Sequence, residues 1–175
     1  MKKAFAAAVI LLSLAAPALA AAPGEIAGVI KAEQPYGSAK LRKFFISVYD
    51  AALWTDAPQW SMQSPFALSI AYRVSLSKSD LTDSTVKEMA HVDPRLDAAA
   101  LAAYRGQLNK VYADVNSGDT ITALYTPDGV VHFFHNGHAT GEVHDRTFAQ
   151  SFFDIWLSPA TSEPGLRAGL LRLGS

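Results

Sequence analysis

The chain has 175 residues and a formal net charge of −1, with 15 Lys or Arg against 16 Asp or Glu and no cysteine. This balance lacks the basic footprint of a nucleic-acid-binding protein, so we expect no nucleic-acid partner. Without cysteine the chain has to fold on packing alone, without disulfides. Its hydrophobic fraction of 50% suits one domain with a sizeable core.

The start of the chain has the pattern of a secretory signal peptide. Two lysines precede an apolar run over residues 4–14, and Ala18-Leu19-Ala20 forms an A-x-A cleavage site. The alternative is a retained membrane anchor, but the apolar run is too short to span a bilayer. We therefore expect a signal peptide over residues 1–20, a single domain over residues 21–175 without a membrane span, and a periplasmic or secreted location.

The first strands are predicted from composition and alternation. Residues 21–28 are expected to be a loose lead-in, and residues 29–32 a short strand. Residues 41–54 are rich in aromatic and β-branched residues, which predicts one long strand. Alternation divides its side chains between two faces: Arg42, Phe44, Ile46 and Val48 on one, and Lys43, Phe45, Ser47 and Tyr49 on the other. Residues 66–74 alternate in the same way and predict the next strand.

Two helices are predicted in the middle of the chain. A capping-box pattern beginning at Ser77 favours a helix over residues 81–91, which Pro94 ends. A second helix is predicted over residues 96–115, with Gly118 as its C′ residue. Its apolar stripe consists of Leu101, Tyr104, Leu108, Val111, Tyr112 and Val115.

A three-strand meander and two more helices complete the pattern. Strands are predicted over residues 119–125, 130–135 and 138–143, the last two joined by an Asn136-Gly137 type I′ turn. Asp145 is a predicted N-cap for a helix over residues 145–157, and a short helix follows Pro164. Together these elements predict an α+β fold, in which a large antiparallel sheet carries a layer of helices on one face.

Two segments carry a family resemblance. One is the Arg-Lys-Phe-Phe-Ile-Ser-Val-Tyr…Ala-Leu-Trp stretch over residues 42–54. The other begins at Gly118-Asp119, includes the Asn136-Gly137 turn, and continues through Phe148…Ile155-Trp156-Leu157 to Leu166…Gly169-Leu170-Leu171. Both resemble the bacterial branch of the chalcone isomerase-like family. The resemblance covers residues 41–171 and implies the chalcone isomerase fold, an open-faced β-sandwich.

The resemblance does not extend to the catalytic residues of the isomerases that name the family. Those enzymes rely on an arginine, a threonine, a tyrosine, an asparagine and a late hydroxyl residue. Aligned by eye, these positions fall at Arg42 and near Phe44, Leu81, Glu88 and Ala149. Leucine has no donor for a developing oxyanion, so we expect a protein without isomerase chemistry. An intramolecular lyase acting on an unknown substrate is kept as an alternative.

Non-catalytic relatives in this family bind fatty acids in an apolar cleft. The resemblance therefore implies that this chain binds a small amphipathic carboxylate, with Arg42 and a tyrosine as head-group contacts, since guanidinium pairs bidentately with carboxylate. The candidate tyrosines are Tyr49, Tyr72, Tyr104 and Tyr112. The alternative interpretation is an Arg42 paired with a carboxylate such as Asp50 at the edge of the core, and tyrosines that serve packing alone.

Histidines form the other cluster of candidate functional residues. His135 and His138 are expected to face each other across the Asn136-Gly137 turn, with His132 and His144 nearby. Because the spacing fixes no third ligand, we expect no metal. No phosphate-cradling loop or serine nucleophile motif suggests a cofactor or a hydrolase site.

The third function that remains open is an envelope protein that binds a protein partner through an exposed apolar patch.

Overall fold

A computed structural model describes residues 21–174, so the predicted signal peptide lies outside the described residues. A short 3₁₀ turn at Gly24–Ile26 precedes six strands and four helices. In chain order, they are β1 (Gly37–Lys43), β2 (Ile46–Trp54), β3 (Phe66–Tyr72), α1 (Lys78–Val92), α2 (Ala98–Val111), β4 (Thr120–Thr126), β5 (Val130–His135), β6 (His138–His144), α3 (Arg146–Leu157) and α4 (Pro164–Leu171). The strands form one antiparallel sheet in the order in which they occur along the chain.

The four helices cover one face of this sheet, which confirms the predicted α+β architecture. The alternation predicted for β3 places Phe66, Leu68, Ile70 and Tyr72 in the main core beneath the helices. Ala67 and Ala71, between them, belong to a smaller cluster on the opposite face. Both faces of β3 are buried, because the helices cover one face and the N-terminal segment packs on the other.

Helix α3 supplies most of the aromatic core. The Asp145 carboxylate accepts hydrogen bonds from the backbone N–H groups of Thr147 (2.8 Å) and Phe148 (3.0 Å), which confirms the predicted N-cap. Phe148 and Phe153 are fully buried and Phe152 is nearly so. Because residues on more than one side of α3 are buried, this helix forms the centre of the layer rather than its edge.

Asp93 fixes α1 against α3. Its buried carboxylate accepts hydrogen bonds from the Arg95 guanidinium (2.8 and 3.1 Å) and from the Ser151 hydroxyl of α3 (3.0 Å). The Arg95 hydrogen bonds are the main cause that lowers the pKa of Asp93 to about 2. The carboxylate therefore stays ionised at neutral pH and holds the C-terminal end of α1 to α3.

The N-terminal segment packs on the opposite face of the sheet. Ile26 and Ile30 are buried there against Trp54 and Leu124. The backbone N–H groups of Lys31 and Ala32, just after Ile30, donate hydrogen bonds to the Asp56 carboxylate. The predictions of a loose lead-in over residues 21–28 and of a strand over residues 29–32 are therefore wrong. A long-range side chain satisfies this backbone in place of a neighbouring strand.

The predicted long strand over residues 41–54 is a hairpin. Phe44 and Phe45 form a two-residue turn, and Phe44 has a φ of +53°. Across the turn, Lys43 pairs with Ile46 and Arg42 with Ser47, with a register shift between Leu41 and Arg42. The predicted shared face of Arg42, Phe44, Ile46 and Val48 is therefore wrong.

Helix α1 is capped by Ser77 as predicted but begins at Lys78, before the predicted residue 81, whereas α2 ends earlier than predicted. Ser77 caps α1 by accepting a hydrogen bond from the backbone N–H of Asp80 at 3.1 Å. Helix α2 ends at Val111 because Val115 instead exchanges two backbone hydrogen bonds of 2.9 Å with Leu76. Gly118, with a φ of +101°, lies in the turn before β4 and is not a helix C′ residue.

Candidate ligand-binding cavity

A cavity of about 390 Å³ lies between the helix-covered face of the sheet and helices α1, α3 and α4. Strands β1 to β4 form its floor, and the connection between α3 and α4 completes its wall. The lining residues are Leu41, Lys43, Val48, Tyr49, Leu68, Ile70, Tyr72, Leu76, Asp80, Leu81, Ser84, Thr85, Glu88, Tyr112, Ile121, Ala123, Phe152, Ile155, Trp156, Ser162, Glu163 and Leu166. Aliphatic and aromatic side chains dominate this lining, so the cavity suits an apolar molecule.

Three of the tyrosines predicted as ligand contacts meet in this cavity. The Tyr49 hydroxyl accepts a hydrogen bond from the Trp156 indole N–H at 3.0 Å. The Tyr112 hydroxyl lies 3.4 Å from the Thr85 hydroxyl. Tyr72 packs edge-on against Tyr49, with ring centroids 6.0 Å apart, and within residues 21–174 its hydroxyl has no hydrogen-bond partner. A hydroxyl that faces the cavity without a partner is available to a ligand.

Burial keeps these three phenols protonated. It raises the pKa of Tyr72 well above the ordinary value, and the neighbouring Tyr112 and Tyr49 add to the rise. Burial also raises the pKa of Tyr49, although the Trp156 hydrogen bond opposes it, and raises the pKa of Tyr112 to about 12. At neutral pH the three hydroxyls can therefore donate hydrogen bonds but cannot serve as bases.

One lysine and three carboxylates complete the lining. Lys43 forms an ion pair with Glu163. The Asp80 carboxylate accepts a hydrogen bond from the Ser77 hydroxyl (2.7 Å), and the Glu88 carboxylate accepts one from the Ser162 hydroxyl (2.7 Å). An acidic ligand therefore has Lys43 as its cation within this lining, and it competes with Glu163 for that cation.

Arg42 and Tyr104 lie outside the cavity lining. Arg42 is exposed, and its Nε donates a 3.4 Å hydrogen bond to the Ser47 hydroxyl. Its alternative pairing with Asp50 is not formed, because that carboxylate contacts Arg73 and Lys40. Tyr104 packs edge-on against Phe148, with ring centroids 5.2 Å apart. Ligand contacts by the other three tyrosines remain a prediction that this geometry permits.

The sequence reasoning missed Lys43 as a cavity residue. Leu41 and Lys43 face the cavity, with Arg42 between them on the other side of β1. The sequence did show two adjacent basic residues, Arg42 and Lys43, and strand alternation allows only one of them to face the helices. Deciding which one faces the helices required knowing that the chain turns at Phe44 and Phe45.

The histidines lie away from the cavity. His135 pairs with His138 across a turn in which Asn136 and Gly137 have φ values of 51° and 79°, as the sequence predicted. His132 and His144 contact Glu142 instead, at 3.1 and 2.6 Å. In the described part of the chain no three residues of the types His, Cys, Asp and Glu are grouped to hold a metal ion. No helix of that part is long and apolar enough to cross a membrane.

The open antiparallel sheet, its helices on one face and the cavity between the two layers define an α+β protein of the chalcone isomerase-like architecture. The family model for chalcone isomerase-like proteins matches residues 36–172, and the chain belongs to that family. Among solved structures, the chain is similar to a fatty-acid binding protein of Arabidopsis thaliana, with a TM-score of 0.59 and 11% identity over 79% of this chain and 86% of that one. At that identity the likeness shows the fold. No curated protein matches the chain.

Proposed function

We propose that the protein binds a small amphipathic molecule in this cavity without transforming it, and that a fatty acid is the first candidate. The observation that carries the proposal is the apolar cavity of about 390 Å³ with an unpaired Tyr72 hydroxyl in its lining. Its volume is within the range of roughly 300–1,000 Å³ typical of small-molecule sites. Similarity in fold to a fatty-acid binding protein supports the same ligand class.

The head group is proposed to lie near Tyr72 and Lys43. A carbonyl or carboxylate oxygen can accept a hydrogen bond from the Tyr72 hydroxyl, and Lys43 can add a charge–charge contact with an acid. Lys43 takes the place that the sequence assigned to Arg42, because Lys43 lines the cavity. We also propose a periplasmic or secreted location, which is supported by the signal-peptide pattern of residues 1–20.

The affinity of saturated fatty acids should rise with chain length until the cavity is full. Each CH₂ group buried contributes about 0.8 kcal/mol, so each added carbon should tighten binding about fourfold at first. Isothermal titration of acids from C8 to C18 measures this series. A plateau or a fall at longer chains marks the filled cavity. Undetectable binding of every acid in the series would overturn the proposal.

Two substitutions should separate the contributions of charge and hydrogen bonding to head-group recognition. Lys43→Gln should weaken a fatty acid by up to about fivefold, the range of a solvent-screened ion pair, and leave its methyl ester unaffected. Tyr72→Phe should weaken the binding of acid and ester alike by about two- to tenfold, because the carbonyl oxygen of either ligand can accept a hydrogen bond from the Tyr72 hydroxyl. Titration of both ligands against each variant gives the comparison.

Matched controls exist for both positions. Arg42→Gln and Tyr104→Phe change the same residue types outside the cavity lining, so they should leave both affinities unchanged. If Arg42→Gln weakens acid binding and Lys43→Gln does not, the assignment of the head-group cation is wrong. Equal affinity of the wild type for acid and ester would exclude recognition of the carboxylate charge.

The sequence is compatible with two other functions. The lining contains no histidine, and the raised pKa values of its tyrosines exclude them as bases at neutral pH. Its three carboxylates already hold partners: Asp80 pairs with Ser77, Glu88 with Ser162 and Glu163 with Lys43. Turnover of chalcones that Tyr72→Phe abolishes would nevertheless revive the intramolecular lyase. The partner-binding alternative predicts an exposed apolar patch and no cleft of ligand size. The exposed Phe44, Phe45 and Ile46 fit the first expectation, but the cavity of about 390 Å³ argues against the second.

A further inference from the structure

The turn between β1 and β2 carries an apolar surface that the fold itself does not use. We call Phe44, Phe45 and Ile46 the hairpin tip. Their exposures are 97%, 103% and 61%. Among residues 21–174 the other exposed large hydrophobic side chains are Val29 and Leu173, and these two stand singly. Three consecutive apolar residues in water indicate a binding surface.

The backbone of this turn makes the two phenylalanines more unusual. Phe44, the first of the two turn residues, has a φ of +53°. A two-residue hairpin with positive φ at its first position favours Gly there, and a bulky residue in this region is an outlier. Neither phenylalanine is buried to compensate for the strain. Strain retained at an exposed site points to a function of that site.

A positively charged stretch flanks the hairpin tip. Between Glu33 and Asp50 the chain contains Lys40, Arg42 and Lys43 and no acidic residue. Arg42 is exposed beside the tip and its side chain contacts Ser47. Lys40 is 3.9 Å from Asp50, a carboxylate already bound by Arg73. An apolar aromatic tip with Lys and Arg beside it matches the interface of a membrane that contains anionic lipids.

We propose that the hairpin tip inserts into the surface of an anionic lipid bilayer, while Lys40 and Arg42 contact the lipid head groups. A protein partner fits less well, because stable protein interfaces bury roughly 800 Å² on each side and the tip consists of three residues. A bilayer accepts a small convex element, since the surrounding lipid supplies the rest of the contact. The membrane contact stands independently of the cavity.

Membrane docking would bring the cavity to the lipid surface. Lys43, which directly precedes the tip, lines the cavity and pairs with Glu163 in the connection before α4. Val48, two residues after the tip, also lines the cavity. A ligand could thus pass between the bilayer and the cavity over a short path. This transfer step rests on the proposed function.

Sedimentation with lipid vesicles tests the membrane contact. The full chain is expressed, and the mature protein is purified. It is incubated separately with vesicles of phosphatidylcholine and with vesicles that contain about one-third phosphatidylglycerol. The wild type should bind the anionic vesicles more tightly. Arg42→Gln should weaken this binding about fivefold, the effect of one basic residue at such a surface.

A turn variant removes the tip while keeping the fold. Phe44→Gly with Phe45→Ser places a preferred glycine at the position of positive φ, so the melting temperature should stay the same or rise. Its binding to anionic vesicles should fall at least about tenfold, because two aromatic side chains are lost from the interface. Val29→Ser is the matched control, since Val29 is an exposed apolar residue (41%) outside the tip and should not matter.

Two results would overturn the proposal. One is an absence of wild-type binding to the anionic vesicles, and the other is equal binding by the wild type and the turn variant. If the turn variant instead abolishes self-association on size exclusion and neither protein binds vesicles, the tip is a contact between copies of the chain. The turn variant should keep its fatty-acid affinity in solution, so failure of membrane docking and failure of ligand binding are distinguishable.

Discussion

Raising the pH from 10 to 12 should lower the free energy of unfolding by up to about 7 kcal/mol. The reason is the buried tyrosine cluster of Tyr49, Tyr72 and Tyr112, whose pKa values burial raises above the ordinary 10.0. Over this range the unfolded chain goes on to lose three protons that the folded protein largely keeps. As the unfolded phenols ionise around pH 10, the loss from each group approaches about 1.4 kcal/mol per pH unit, and it is small below about pH 9.

The loss should be less steep near pH 12, because the pKa of Tyr112 is about 12 and this group then ionises in the folded state. Urea unfolding at pH values from 8 to 12 measures the slope, and tyrosinate absorbance shows when the phenols ionise. Tyr72→Phe removes one of the three protons, so it should reduce the slope by about a third. Stability that stays constant up to pH 12 would contradict the assignment of these tyrosines as buried and neutral.

Phe153→Ala should lower the free energy of unfolding by about 3–5 kcal/mol, the cost of a large truncation in a packed core. Phe153 is fully buried in α3. Its ring lies 4.6 Å from the Phe66 ring, 5.1 Å from Phe152 and 6.1 Å from Tyr125, measured between centroids. Because typical domains are stable by only about 5–15 kcal/mol, this loss is a large share of the total.

Phe152→Ala provides an instructive comparison for this measurement. Like Phe153, Phe152 is buried in α3, with 2% exposure, but it also lines the ligand cavity. Its truncation should enlarge an existing space and should therefore favour bulkier ligands as well as reduce stability. Urea unfolding of both variants gives the two free energies. A change below about 1 kcal/mol for Phe153→Ala would mean that this part of α3 is not packed as described.

The elements that the sequence predicted well are those with a strong local signal. Alternation identified β3, the Asn136-Gly137 turn identified the β5–β6 hairpin, and Asp145 marked the start of α3. Each of these signals lies within a few residues of the element it predicts. Together with the family resemblance they were sufficient for the architecture.

The errors arose where long-range contacts or an unusual turn decide the structure. Phe44-Phe45 contains none of the Gly, Asn, Asp or Pro residues that mark a turn, so a hairpin was taken for one strand. That error placed Arg42 on the predicted apolar face, whereas in the structure Lys43 lines the cavity and Arg42 does not. The choice of Arg42 as a head-group contact came from the family resemblance. Ile26 and Ile30 were missed because their partners, including Trp54 and Leu124, are distant in sequence.

The position of Trp156 gives this protein a built-in optical reporter. The chain contains three tryptophans, and of these Trp156 lines the cavity, where its indole N–H is bonded to the Tyr49 hydroxyl. Trp54 is fully buried on the opposite face of the sheet, and Trp60 packs against Phe66. We therefore expect the fluorescence of Trp156 to change when a ligand occupies the cavity, whereas Trp54 and Trp60 lie outside its lining, so occupancy can be followed in unlabelled protein.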